Sequence, residues 1–84
     1  MKIIFSTQSW DEYLFWQKTD QKIHKRINTL IKEISRDPFH GKGKPEPLKH
    51  ALAGYWSRRI NEEHRIVVKI EGDSLLIAQV RLHY

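Results

Sequence analysis

The chain has 84 residues and no cysteine, with 15 Lys plus Arg against 10 Asp plus Glu, for a net charge of +5 when its five histidines are neutral. That length allows one domain with a modest core, so residues 1–84 read as a single domain, and the lack of cysteine excludes disulfide stapling and leaves any zinc site to His and carboxylates. A 39% hydrophobic and 30% charged composition is that of a folded globular chain. No apolar run of about 18 residues and no basic-apolar-small leader pattern occurs, which predicts an untargeted protein of the cytoplasm, while the positive charge favours a polyanionic partner.

Lys2 to Phe5 is a short β-prone run. Ser9 ahead of Trp10-Asp11-Glu12 reads as a helix N-cap with a capping-box glutamate, and Trp10, Tyr13, Leu14 and Gln17 recur at helical spacing with the first two or three facing the core. Thr19-Asp20 restarts the chain into a second helix. There Ile23, Ile27, Leu30, Ile31 and Ile34 form the clearest apolar stripe in the sequence, opposite a face of Lys22, Lys25, Arg26, Lys32, Glu33 and Arg36. Asp37-Pro38 ends it, because the residue before proline is pushed out of the helical region. Phe39 to Pro47 holds two glycines and two prolines and reads as a loop long enough to have a role. Leu48 to Ala53 reads as a short strand or turn. Strands follow over Tyr55–Ile60, His64–Glu71 and Leu75–Leu82, joined by turns at 61–63 and at Gly72-Asp73-Ser74. The order β-α-α-β-β-β, with room for one extra short strand, predicts an α+β fold with two helices on one face of a mostly antiparallel sheet.

Three-residue turns fix a register. Ile66, Val68 and Ile70 then fall opposite Val80, Ala78 and Leu76, all toward the helices, while Arg59, Arg65, Arg81 and His83 collect on the other face. Like charges placed side by side destabilise a sheet, so the cluster asks for a shared anionic partner.

Phosphate-loop, dinucleotide, zinc-protease and serine-hydrolase motifs are all missing, and no Asp/Glu/His cluster has metal-ligand spacing, so metal and cofactor chemistry is not signalled. Gly41-Lys42-Gly43-Lys44-Pro45 lacks the Lys-Ser/Thr end of a phosphate loop and is either a plain surface loop or a basic lip for RNA. Glu46, between Pro45 and Pro47 and among Lys42, Lys44 and Lys49, is a stiffly held carboxylate whose ionised form its neighbours favour, suited to take a proton from a ribose 2′-hydroxyl; a solvated loop glutamate is the plain alternative. Of the histidines, His24, His40, His50 and His64 read as solvated surface or turn residues. His83, after a strand carrying Arg81, is the strongest functional candidate.

Across its whole length the chain resembles the YoeB branch of the RelE toxin superfamily. The resemblance rests on Ser9-Trp10-Asp11-Glu12-Tyr13, Asp37-Pro38-Phe39, Gly41-Lys42-Gly43-Lys44-Pro45-Glu46-Pro47-Leu48-Lys49, Gly54-Tyr55-Trp56-Ser57-Arg58-Arg59-Ile60, Glu63-His64-Arg65 and Arg81-Leu82-His83-Tyr84. It implies a RelE-like, microbial-ribonuclease-type fold and a metal-independent endoribonuclease that cleaves messenger RNA in the ribosomal A site. Glu46 would be the general base, Arg65 the transition-state arginine, His83 the general acid and Tyr84 the terminal aromatic that orders substrate or acid. Lys49 and Arg59 match phosphate contacts, with Lys44 and Arg81 as further electrostatic ones. A YefM-like antitoxin is the implied partner, beside ribosome and messenger RNA, with a homodimer left open. The competing expectation is a non-catalytic ribosome- or RNA-binding translation inhibitor of the same fold.

Overall fold

The structure, a computed structural model, describes residues 1–82. Five strands form one sheet: β1 (Lys2–Phe5), β2 (Glu46–Pro47), β3 (Tyr55–Arg59), β4 (Arg65–Glu71) and β5 (Ser74–Gln79). Their spatial order is β1-β5-β4-β3-β2, antiparallel except for the β1–β5 pair. Helices α1 (Thr7–Thr19) and α2 (Gln21–Arg36) cover one face, giving the expected two-helix α+β architecture. The extra short strand is β2, earlier than expected; a single 3₁₀ turn at His50–Leu52 occupies the segment read as strand or turn.

The stripe on α2 holds as read. Ile27, Leu30, Ile31 and Ile34 are buried, and Asp20 caps the helix with Oδ1 accepting from the Lys22 and Ile23 amides at 3.0 and 3.1 Å. The start of α1 does not. Its N-cap is Ser6, whose Oγ accepts from the Ser9 amide at 3.0 Å, so Ser9 lies inside the helix, buried, with its own Oγ donating to the Ile77 carbonyl at 2.7 Å. Glu12 likewise reaches across rather than back, its Oε1 accepting from the Val80 amide at 2.8 Å. The core aromatic of α1 is Trp16, 6% exposed, with Nε1 donating to the Val80 carbonyl at 2.9 Å; Trp10, expected to face the core, is 46% exposed. Ser9, Glu12 and Trp16 share one helical face, so α1 docks through polar groups as much as apolar ones.

The β4–β5 register also differs from expectation, in an instructive way. The turn has two residues, Gly72 and Asp73, between the paired Glu71 and Ser74. Gly72 takes φ +58°, the positive value that the first centre of a II′ hairpin turn requires. Ile70 therefore faces Leu75 and Val68 faces Ile77, which turns Leu75 and Ile77, not Leu76 and Ala78, into the core beside Ile66 and Val68. A bulge between Val67 and Val68 then absorbs one extra residue of β5, so that Val67 faces Gln79, the one pair of the expected register that the ladder keeps. Val80 returns to the core as read.

Candidate active site

The open face is organised in rows across the strands. Glu46 pairs with Ser57, Ser57 with Val67 and Val67 with Gln79; the adjacent row holds Arg59 paired with Arg65, as the three-residue turn predicted. Directly opposed residues point to the same side, and Glu46, Ser57 and Arg59 alternate away from Trp56, which packs on the core. A strand spacing of about 4.8 Å and a rise of about 3.4 Å per residue put the Glu46 Cα about 8 Å from that of Arg59 and about 12 Å from that of Arg65. Side chains of that length can converge on one phosphate between them. Glu46, Lys44 and Lys49 are exposed, and Arg59 and Arg65 are half-buried.

Local sequence explains how Glu46 is held. Pro47 keeps it extended, and the flanking prolines confine such a stretch to a sheet edge, which is where β2 lies. On either side the loop is fastened to β3, with the Arg59 amide donating to the Gly43 carbonyl at 2.7 Å and the Leu48 amide to the Tyr55 carbonyl at 2.9 Å. Gly43 takes φ +87°, and a Cβ there would come within 3.0 Å of the Arg59 carbonyl, so only glycine allows this approach.

The residue that secures the rest of the loop was not singled out by sequence reasoning. Arg58, 2% exposed, points to the helix side and donates from Nη2 to the Asp37 and His40 carbonyls, both at 2.8 Å, and from Nη1 to the Lys42 carbonyl at 3.2 Å. Burial lowers its pKa, opposed by the negative charges of Glu33 and Asp37. The Asp37 carboxyl is itself held below its ordinary value, chiefly by a 2.9 Å hydrogen bond with His40. Only strand alternation distinguishes Arg58 from Arg59 in the sequence, and it does not say what a buried guanidinium would meet.

Arg65 is pre-set. Its Nη1 donates to three carbonyls of the 61–64 turn, those of Asn61, Glu62 and His64, at 2.8, 3.2 and 3.1 Å. All three bonds use Nη1, which leaves the Nε and Nη2 edge of the fork to other acceptors. Arg81 departs from expectation: its guanidinium lies over the Phe15 ring of α1, 4.0 Å from the centroid, rather than beside Arg65 on the open sheet. His83 and Tyr84 lie outside the described residues. Among the described residues no group of three or more His, Cys, Asp or Glu could hold a metal ion, and no helix is long and apolar enough to cross a membrane.

Two N-terminal helices on one face of a mostly antiparallel sheet match the fold of RelE-like toxin domains. The YoeB/ParE toxin from Agrobacterium tumefaciens is similar at TM-score 0.98 and 51% identity, covering 100% of both chains. Staphylococcus aureus YoeB is similar in two solved forms, a dimer (TM-score 0.93, 45% identity) and a YoeB-YefM complex (0.92, 44%), each covering 100% of this chain and 98% of the other. Toxin YoeB of Escherichia coli K12 is 64% identical over 84 residues, the full length of both. The model of the YoeB-like toxins of bacterial type II toxin-antitoxin systems matches residues 5–84, and the chain belongs to that family.

Proposed function

We propose that this toxin is a metal-independent endoribonuclease that cleaves messenger RNA in the ribosomal A site. The observation that carries the reading is the register that aligns Glu46 with Ser57 in one row and Arg59 with Arg65 in the next, on the face opposite the helices. Glu46 takes the proton of a ribose 2′-hydroxyl, and the freed 2′-oxygen attacks the adjacent phosphorus. The bond to the departing 5′-oxygen breaks as His83 protonates that oxygen, leaving a 2′,3′-cyclic phosphate and a 5′-hydroxyl. Tyr84 orders substrate or acid. Arg65, with Nη1 already satisfied by the turn, directs its remaining donors at the equatorial oxygens, whose charge grows in the transition state. Lys44, Lys49 and Arg59 hold neighbouring phosphates, and Arg81 adds positive charge at the rim.

The basic surface also fits an acidic antitoxin segment that folds on binding, a YefM-like partner by analogy with the Staphylococcus aureus YoeB-YefM complex; that protein's dimer supports a homodimer. Ribosomes and such a partner set the site of action in the cytoplasm. The test is to map 5′ ends of messenger RNA incubated with purified protein, with and without ribosomes and with a metal chelator. Ribosome-dependent cuts that persist in chelator are expected, and are lost in well-folded Glu46→Ala and His83→Ala. Binding to ribosomes without new 5′ ends would replace the enzyme by a translation-blocking module.

A further inference from the structure

Leu82 is the last described residue, and its backbone is held in an unusual way. It takes φ +63°, in the left-handed region that a leucine rarely adopts, and its side chain is 50% exposed, so packing does not explain the conformation. Hydrogen bonds do. Its amide donates to Nδ1 of His64 at 2.8 Å, while its carbonyl accepts from the Arg65 amide at 3.1 Å and from Gln79 Nε2 at 3.4 Å. Of these partners His64 alone is a buried side chain supplying the acceptor.

His64 is 6% exposed and stands edge-on to Trp16, ring centroids 4.7 Å apart, with Nε2 3.6 Å from the Glu63 carboxylate. An Nδ1 that accepts an amide hydrogen must offer its lone pair, so the ring is neutral and carries its hydrogen on Nε2, toward Glu63. A phenylalanine would fill the same space against Trp16 without the cost of burying polar nitrogens. The imidazole adds one thing, an acceptor aimed at Leu82.

We propose that His64 is a positioning residue whose Nδ1 fixes the backbone of Leu82, the residue that directly precedes His83 and Tyr84 in the sequence. This rests on the functional reading above, in which those two residues act on the substrate. His64 joins α1, through Trp16, to Leu82, while the amide of the next residue, Arg65, closes the other side of Leu82. Leu82 and Arg65 are thus referred to one hairpin.

Three full-length proteins test it. His64→Phe keeps the ring volume and removes the acceptor, His64→Asn keeps an acceptor near the place of Nδ1, and an ester in place of the 81–82 peptide bond removes the Leu82 N–H with His64 untouched. Imidazole ¹⁵N shifts and Leu82 amide exchange are read by NMR, and saturating single-turnover cleavage on programmed ribosomes is compared after circular dichroism. The wild type should show the Nε2–H tautomer and a protected Leu82 amide. His64→Phe and the ester should lose on the order of a hundredfold in rate with little change in KM, since a misplacement near 1 Å costs about that much. His64→Asn should stay within about fivefold of the wild type, a rescue that mere core filling does not predict. An Nδ1–H tautomer, an ester protein of wild-type rate, or His64→Asn no better than His64→Phe overturns the assignment. Should the wild type leave RNA uncut, the functional reading fails on its own, and the tautomer and amide exchange still decide whether His64 clamps Leu82.

Discussion

Replacing Arg58 by lysine tests whether the loop bearing Glu46 is held in place or merely lies there. Arg58 donates to three loop carbonyls at 2.8, 2.8 and 3.2 Å from a site where it is 2% exposed. A lysine ammonium is a single point that can serve about one of them, so two hydrogen bonds to a charged donor are lost, at about 1.5–3 kcal/mol each. Part of this returns, because the freed carbonyls lie near the surface and can bind water. A net loss of about 2–3 kcal/mol is expected, against a total stability of roughly 4–13 kcal/mol for a domain of this size. For 60–100 residues each kcal/mol moves Tm by about 4–8 °C, so the variant should melt about 10–20 °C lower. Burial, which already lowers the Arg58 pKa, also works against a charged lysine there. The assay pairs urea unfolding by circular dichroism with native-state hydrogen exchange at the Arg59 amide, which donates to Gly43 at 2.7 Å. Faster exchange at that amide than global unfolding accounts for would show the loop lifting off β3. Stability within about 0.5 kcal/mol of the parent, the range of ordinary surface changes, with unchanged Arg59 protection would refute the reasoning.

Arg65→Lys keeps the charge but loses the fork, and should remain about a hundred to a thousandfold slow in saturating single-turnover cleavage, whereas Lys49→Ala should be rescued by more substrate or less salt. Equal and fully rescuable defects would reduce Arg65 to one more phosphate anchor. Arg81→Met keeps a long apolar contact with Phe15 and should hold stability within about 1 kcal/mol while flattening the salt dependence of ribosome binding; an unchanged salt slope would leave Arg81 a purely structural group. Asp20→Ala removes the cap that serves the Lys22 and Ile23 amides and should cost about 1 kcal/mol, or about 4–8 °C in Tm, by thermal melting.

What could be read from the residues follows from how each contact is made. The α2 stripe was legible because Ile27, Leu30, Ile31 and Ile34 are held by apolar burial, which repeats with the helix. α1 was legible as a helix, and Tyr13 packs against the core as expected, but Trp10 does not, and the roles of Ser9 and Glu12 were not legible, since they serve strand and chain end as hydrogen-bonding groups and look like surface residues in a list of hydropathies. The Arg59–Arg65 pairing was correct because its turn length was right. Leu75-Leu76-Ile77 is apolar on both faces of the strand, so nothing in it distinguishes a two-residue turn plus a bulge from a three-residue turn without one. Glu46 stood out through its prolines and Arg65 through its place in a strand. Arg58 and His64 did not, because their partners are main-chain groups far away in sequence, and a carbonyl or amide leaves no mark on residue type.

The bulge ties these observations together. Without it, the two-residue turn would carry the Leu75 and Ile77 parity onward, turning Gln79 and Arg81 toward the helices and Val80 to the open face. One inserted residue restores Val80 to the core, where Trp16 and Glu12 hold both of its backbone groups. The chain then reaches Leu82 in range of His64 and Arg65. The same β4 whose start meets Leu82 pairs with β3, and β3 carries the loop with Glu46 through Arg58, Arg59 and the β2 ladder. The loop that bears Glu46 and the backbone of Leu82 are therefore both anchored to the β3–β4 hairpin. Loops are the least stable parts of small domains, and this hairpin gives each a buried side chain that bonds main-chain atoms, Arg58 for the first and His64 for the second. Each bonds main-chain atoms far from it in sequence, so the loop and Leu82 are held by side chains that are themselves buried.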